Sequence, residues 1–102
     1  MEDKYLELFI QKVKDKFGDE LQRIILFGSR ARGDNDPNSD YDLILIFHNV
    51  IPEVKEAILE LEGEMLYQYN VVFSSFPLTE LDLSRKRFYP FIMNVRKEGI
   101  ML

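Results

Sequence analysis

The fold is decided by residues 24–47, which read IILFGSRARGDNDPNSDYDLILIF. Two apolar runs, residues 24–27 and 43–47, bracket a glycine-serine turn and a pair of aspartates, Asp40 and Asp42. Short continuous apolar runs are typical of strands that are buried on both faces of a sheet. We therefore expect two internal strands that carry a small turn and two carboxylates at their ends.

The other elements follow from the apolar periodicity and from the turn residues. The predicted elements are a helix over residues 2–17, a strand over 22–27, one helical turn over 29–32, a strand over 41–47, a helix over 52–67, a strand over 69–76, a short helix after Thr79 and a final helix from Pro90 to Gly99.

The connections predict how the strands run. A helix joins the second and third strands, so these two are expected to be parallel with a right-handed crossover. The Gly28-Ser29 turn ends the first strand and Asp40 and Asp42 begin the second. The Gly28-Ser29 turn and the two aspartates lie at the same edge of the sheet only if the first and second strands are antiparallel. The sequence thus predicts an α/β (α+β) fold, a small mixed sheet of about three strands flanked by helices.

Size and composition restrict the class of protein. The chain has 102 residues, enough for a single domain over residues 1–102, and no cysteine for a disulfide or thiolate site. No apolar run approaches the roughly 18 residues of a membrane helix, and the N-terminus does not resemble a signal peptide. We expect a cytoplasmic protein with no membrane partner. The net charge of -5 makes nucleic acid an unlikely partner.

The chemistry of the central stretch favours a metal-bound phosphate. Asp40 and Asp42 lie two residues apart in extended chain, so their carboxylates point to the same face and repel each other. Mg²⁺, or alternatively Mn²⁺, would relieve that repulsion. Gly28 leaves room for a phosphate at the backbone, and Ser29 adds a hydroxyl and an N–H group.

Two arginines complete the expected phosphate site, and three other interpretations of the stretch stand beside it. Arg30 or Arg32 would stabilise the charge on a transferring phosphoryl group. An Asp-x-Asp pair at a strand start is also common as solvated loop chemistry. An EF-hand is excluded because its glycine and glutamate positions hold Ser39 and Leu45. A P-loop is excluded because no Gly-Lys-Ser/Thr follows.

The joint arrangement of Gly28-Ser29 with Asp40 and Asp42 resembles the DNA polymerase beta-type nucleotidyltransferase superfamily. The strings GSRARG over residues 28–33 and SDYDL over 39–43 resemble its minimal nucleotidyltransferase (MNT) domains. The C-terminal stretch PFIMNVRKEG over residues 90–99 is similar to the ending of one MNT subgroup.

The resemblance implies metal-dependent transfer of a nucleoside monophosphate from an NTP, by family habit ATP, to a protein or small-molecule acceptor. Gly28 and Ser29 would hold the triphosphate, and Asp40 and Asp42 would coordinate the metal. It also implies a separately encoded helical partner, a HEPN protein, in a toxin–antitoxin pair. The alternative function is a weakly active or inactive binding module that neutralises a partner or senses nucleotide.

The family has a third carboxylate at the start of the third strand, which helps to hold the metal and activates the acceptor. In the predicted register this catalytic position is Asn70, a neutral residue that cannot act as a base. Glu64 would substitute only if the preceding helix ended early. The alternative function rests on this departure from the family pattern.

The remaining aromatic residues and the single histidine are expected to be structural. His48 follows a strand and is expected to be its polar end. Five aromatic residues fall at strand or helical spacing, which favours the core over a base-stacking platform: Phe73, Phe76, Phe88, Tyr89 and Phe91.

Overall fold

The computed structural model describes residues 3–102 and contains one four-stranded mixed sheet with helices on both faces. The elements in chain order are α1 (Lys4–Phe17), a 3-10 turn (Gly18–Glu20), β1 (Leu21–Phe27), α2 (Ser29–Arg32), β2 (Tyr41–Phe47), α3 (Pro52–Tyr69), β3 (Phe73–Leu78), α4 (Glu80–Arg85), α5 (Pro90–Glu98) and β4 (Ile100–Met101). The predicted helical position at residue 2 lies outside the described residues.

The sheet has the order β3-β2-β1-β4. β1 and β2 are antiparallel, and β2 and β3 are parallel, so both predicted strand directions are confirmed. The sheet has four strands rather than the predicted three, because β4 pairs antiparallel with the end of β1. A two-residue strand leaves no periodicity in the sequence, so this element could not be predicted.

Each face of the sheet has its own core. Helices α1 and α3 cover one face, where Phe9, Leu26, Leu45 and Met65 are fully buried. Helices α4 and α5 cover part of the other, with Ile25, Ile44, Ile46, Leu83, Ile92 and Val95. Because the central strands carry apolar residues toward both cores, the prediction that they are internal is confirmed. Leu43, Ile44, Leu45 and Ile46 have no exposed area.

The helix ends follow local sequence signals. Asp3 caps α1 by accepting hydrogen bonds from the N–H groups of Tyr5 and Leu6, each at 3.1 Å. The short helix predicted after Thr79 is α4, and Thr79 and Asp82 form a capping box at its start. The hydrogen bond from the backbone N–H of Thr79 lowers the pKa of Asp82.

Helix α3 is longer than predicted and displaces the third strand. It continues through Gly63 to Tyr69, and Asn70 caps it in the left-handed conformation, with φ of 55°. The N–H of Asn70 bonds to the carbonyl of Leu66 at 3.0 Å, which is the bond of the αL motif, and the N–H of Val71 bonds to the carbonyl of Met65 at 3.5 Å. The prediction that the third strand begins at residue 69 is therefore wrong, and β3 begins at Phe73.

Among residues 3–102, no helix is both long enough and apolar enough to cross a membrane.

Candidate active site

The turn after β1 is built around Gly28. Its φ of 77° and ψ of -161° belong to a region that only glycine adopts readily. The Gly28 carbonyl accepts hydrogen bonds from the N–H groups of Ala31 and Arg32, each at 3.1 Å, and this closes the single turn of α2. Gly33, in the left-handed conformation, ends the turn. The N–H groups of Ser29 and Arg30 have no acceptor within residues 3–102.

Asp42 lies directly against this turn. It is the cross-strand partner of Phe27, the residue before Gly28. A Cβ atom built on Gly28 would overlap the Asp42 carboxylate, so the glycine is required by contact as well as by conformation. Antiparallel pairing therefore brings the turn and the aspartate to one edge of the sheet.

The two carboxylates sit in an electrostatically unfavourable arrangement. Partial burial raises the pKa of Asp42, the charge of Asp40 raises it further, and Arg32 opposes both effects. No donor in the part of the chain that the structure describes forms a hydrogen bond with either carboxylate. A divalent cation would supply the missing positive charge.

The chemistry of these groups fits Mg²⁺ held together with a phosphate. Mg²⁺ is commonly bound by one or two carboxylates plus substrate phosphates and water. Within residues 3–102 no three histidine, cysteine, aspartate or glutamate side chains form a metal-binding group. If Asp40 and Asp42 held Mg²⁺, its other ligands would therefore come from water or from a bound substrate.

Asn70 does not lie where the predicted register put it. It caps α3 and lines a surface pocket with Tyr41 and Arg30, on the opposite side of the sheet from Asp42. The residue that pairs with Asp42 on β3 is Ser74. Paired residues of neighbouring strands point to the same face about 4.8 Å apart, so Ser74 occupies the place that Asn70 was expected to fill.

Glu64 does not substitute for the missing carboxylate. Helix α3 does not end early, and the Glu64 carboxylate forms a salt bridge with Lys12 of α1 at 3.4 Å.

His48 ends β2, as predicted, and its Nδ1 lies 3.3 Å from the Gln22 amide.

The Arg30 guanidinium is directed toward the loop of residues 33–40 that joins α2 to β2. Its Nε and Nη2 donate to the Ser39 carbonyl at 3.0 and 2.8 Å, and Nη2 also donates to the Pro37 carbonyl at 3.3 Å. The guanidinium lies 3.8 Å from the centre of the Tyr41 ring, and the side chain is only 14% exposed. Arg30 thus holds residues 37–39 over the face opposite Asp42.

Arg32 lies on the same side of the sheet as Asp42. It contacts Glu98, a residue that the sequence analysis did not single out. Its Nη1 donates to both carboxylate oxygens of Glu98, each at 3.2 Å, and its Nε donates to Asp34 at 3.0 Å. Glu98 also accepts from the N–H of Gly28 at 3.2 Å. Glu98 lies 70 residues from Gly28 along the chain, and only the family-like ending over residues 90–99 pointed toward it.

Four of the five aromatic residues assigned to the core are exposed. Phe73 is buried and stacks on Phe9 and Tyr41, as expected. Phe76, Phe88, Tyr89 and Phe91 are between 40% and 74% exposed. Periodicity alone could not show this, because α4 and α5 are short and leave part of their sheet face uncovered.

Three comparisons identify relatives of this chain. It is 38% identical over 94 residues to MJ1305 of Methanocaldococcus jannaschii, matching 88% of this chain and 63% of that protein. It is 31% identical to MJ0604 of the same organism, over 99% of this chain and 97% of that protein. Both relatives are named as candidate protein adenylyltransferases. The chain thus spans less than two thirds of MJ1305 and nearly all of MJ0604.

The fold also matches a solved complex. This chain superposes with a TM-score of 0.62 and 18% identity on a chain in the structure of the tri-AMPylated HEPN toxin of Shewanella oneidensis with its MNT antitoxin. The match covers 99% of this chain and 71% of the other. A sequence model described as "Nucleotidyltransferase domain" matches residues 6–97, which include every predicted site residue. The chain therefore belongs to the nucleotidyltransferase domain family.

Proposed function

We propose that this chain is a Mg²⁺-dependent nucleotidyltransferase that moves AMP from ATP to a protein acceptor. The observation that carries the proposal is the Asp42 carboxylate, which lies against Gly28 with no hydrogen-bond donor in the described residues. A partly buried carboxylate that accepts no hydrogen bond costs stability, so its position beside a glycine-serine turn favours a ligand that brings positive charge.

Each residue of the site has a proposed role. The N–H groups of Ser29 and Arg30 would bind phosphate oxygens, while Gly28 leaves space for them. Asp40 and Asp42 would hold Mg²⁺, which would supply positive charge to the phosphates. Arg32, whose charge already lowers the pKa of Asp42, would stabilise charge on the transferring group.

The proposed reaction is an in-line displacement. An acceptor hydroxyl oxygen forms a bond to the α-phosphorus of ATP, and the bond from that phosphorus to the pyrophosphate oxygen breaks. Pyrophosphate leaves with the electron pair, and the hydroxyl proton passes to water, because Ser74 offers no carboxylate beside Asp42.

The acceptor is proposed to be a HEPN-type protein. The two curated relatives are named for protein adenylylation, and the solved complex contains an AMPylated HEPN toxin. These names support a protein acceptor of that class for this chain. With an ATP substrate and no cysteine, we place the reaction in the cytoplasm.

The direct test uses the purified chain, Mg²⁺, ATP labelled at the α-phosphate and a HEPN protein from the same genome. Label on the HEPN protein is expected only with metal present. Asp42→Asn should abolish labelling, whereas Asp19→Asn, an equal change of charge on an exposed residue outside the site, should not. Transfer that persists in Asp42→Asn would contradict the assigned site.

A second candidate function is stoichiometric binding of the partner, or sensing of nucleotide, with little transfer. The observation that favours it is Ser74 in the place of a third carboxylate. If the chain acts by partner binding alone, Asp42→Asn would neutralise the partner as well as the wild type does. Calorimetry with a nonhydrolysable ATP analogue separates sensing from partner binding, since only a sensor requires the nucleotide.

A further inference from the structure

Three phenylalanine rings form a partly exposed cluster on the face of the sheet that carries Asp42. The ring centres of Phe27 and Phe91 lie 5.2 Å apart, and those of Phe76 and Phe91 lie 5.4 Å apart, both edge to face. Phe27 and Phe76 are 6.1 Å apart. Phe76 is 42% exposed and Phe91 is 40% exposed, so this aromatic cluster has an open side.

The sheet register places the aromatic cluster beside the carboxylates. Phe27 is the cross-strand partner of Asp42, and Phe76 lies two residues along β3 from Ser74, the other partner of Asp42. Two residues of a strand span about 6.6 Å. A nucleotide bound by its phosphates at Gly28 therefore has exposed aromatic side chains, Phe76 and Phe91, within reach of its base.

We propose that Phe76 and Phe91 form the subsite for the nucleobase of the NTP. This inference rests on the proposed function, because the phosphates must first be held at the turn and at Asp42. Aromatic rings stack on any base, so the subsite would add affinity without strong selection among bases. Replacement of a stacked aromatic residue is expected to weaken binding of the nucleotide by about 5-fold to 150-fold.

The test compares two ligands in calorimetry, Mg²⁺–ATP and Mg²⁺–tripolyphosphate, which lacks the base and ribose. Phe76→Leu and Phe91→Leu keep an apolar side chain of similar size and remove the ring. Both variants should bind ATP more weakly and tripolyphosphate as the wild type does. Phe88→Leu is the matched control, since Phe88 is 74% exposed and lies outside the cluster.

The outcomes separate this inference from the proposed function. If the wild type binds ATP no more tightly than tripolyphosphate, or if both leucine variants bind ATP normally, the base subsite is refuted while the phosphate site stands. Equal weakening for both ligands would also refute it. If the wild type binds neither ligand, the proposed function fails and this inference fails with it.

A separate observation concerns Glu98, the last residue of α5. Its carboxylate is shared between the Gly28 N–H and the Arg32 guanidinium, and its side chain is 21% exposed. The same carboxylate therefore contacts both the backbone of the Gly28-Ser29 turn, which is proposed to bind the phosphates, and Arg32, whose charge lowers the pKa of Asp42.

Helix α5 holds Glu98 firmly in this place. Ile92 and Val95 are buried against the sheet, and Gly99 approaches β1 so closely that a Cβ atom there would overlap the Ile25 side chain. Beyond Gly99 the chain continues as β4, paired to β1. The position of the carboxylate is thus fixed from both sides.

We infer that Glu98 is a positioning residue for the phosphate turn. It orients the peptide before Gly28 and keeps the Arg32 side chain near Asp42. The inference rests on the proposed function, and it makes the C-terminal helix a part of the nucleotide site. Loss of Glu98 is expected to weaken the phosphate contacts themselves, and so to affect ATP and tripolyphosphate alike.

The test measures both ligands with Glu98→Ala and Glu98→Gln. The glutamine keeps an acceptor for the Gly28 N–H and should restore part of the binding that the alanine loses, a loss of about tenfold to hundredfold. Glu80→Ala is the matched control, because Glu80 forms a comparable pair with Arg23 of β1, at 2.7 and 3.2 Å, away from the turn.

Two results would overturn the role of Glu98. Normal binding of both ligands by Glu98→Ala, even with a lower Tm, would make the contact merely structural. Equal weakening in Glu80→Ala would assign the effect to general stability. If the wild type binds neither ligand, the proposed function fails first.

Discussion

The Asp42 carboxylate lies against the Cα atom of Gly28, so closely that no side chain fits at position 28. The contact joins the end of β1 to the start of β2 across an antiparallel pair. It places the acidic group of the site within reach of whatever the turn binds. The glycine therefore has two independent constraints, a close approach and a φ of 77°.

Gly28→Ala should destabilise the fold and remove nucleotide binding. The backbone conformation alone costs about 1–3 kcal/mol for a residue with a Cβ, and the Asp42 carboxylate must also move. Chemical denaturation measures the first effect and calorimetry with Mg²⁺–ATP the second.

Gly63→Ala is the contrasting control for that substitution. Gly63 lies within α3, and a Cβ there would meet nothing within 4 Å. The alanine should stabilise the protein by about 0.5–1 kcal/mol. If the Gly28→Ala variant were as stable as the wild type, the close approach of Asp42 would not require glycine at position 28.

Asp42→Asn should raise the stability of the ligand-free protein near neutral pH. Burial and Asp40 raise the pKa of Asp42 in the folded state, so the folded protein binds this proton more tightly than the unfolded chain. The wild type therefore loses stability as the pH rises from the ordinary aspartate pKa of 3.8 through the raised value. The advantage of asparagine should be present at pH 7 and disappear near pH 3, measured by Tm.

Mg²⁺ should favour the stability of the wild type over that of Asp42→Asn. At ten times its Kd, a ligand that binds only the folded state adds about 1.4 kcal/mol of stability. The metal should raise the Tm of the wild type and of Asp19→Asn but not that of Asp42→Asn. An equal rise in all three would show that Mg²⁺ binds elsewhere.

Ser74→Asp should strengthen metal binding, whereas Asn70→Asp should not. The new carboxylate at position 74 would lie beside Asp42 on the same face, while position 70 lies on the opposite side at the end of α3. We expect roughly tenfold tighter Mg²⁺ binding from one added carboxylate. The measurement is a titration followed by thermal shift, and a gain in Asn70→Asp alone would contradict the observed register.

The sequence was sufficient for the first two strands and for the placement of Gly28 beside Asp42. Continuous apolar runs marked β1 and β2 as internal, and their spacing from Gly28 and Asp42 required the antiparallel pair that the structure contains. The third strand was misplaced because Val71 and Val72 read as strand, although Asn70 was available as a helix cap. That shift of four residues moved the expected catalytic position to the wrong face.

The other residues proposed for the site depend on contacts that no local pattern encodes. Glu98 meets Gly28 only because α5 packs on the sheet and Gly99 turns the chain back onto β1. The exposure of Phe76 and Phe91 likewise depends on how much of the face α4 and α5 cover. Periodicity gives the face of each residue, but it does not give the extent of the covering layer.

The two arginines of the turn should respond differently to substitution. Arg30→Ala removes charged hydrogen bonds to the carbonyls of Pro37 and Ser39 together with the contact to Tyr41, so it should cost about 2–4 kcal/mol of stability. Arg32→Ala leaves an exposed position and should keep nearly the wild-type Tm, but it should lower the transfer rate by about a hundredfold.

A pH profile distinguishes the role of Arg32 from a general loss of activity. Because Arg32 lowers the pKa of Asp42, its removal should raise that pKa further and move the acid limb of the transfer rate to higher pH. Arg96→Ala, an exposed position on α5, should leave the profile unchanged. If Arg30→Ala shifts the acid limb and Arg32→Ala does not, the charge that acts on Asp42 comes from the other arginine, and the assignment of the two side chains is reversed.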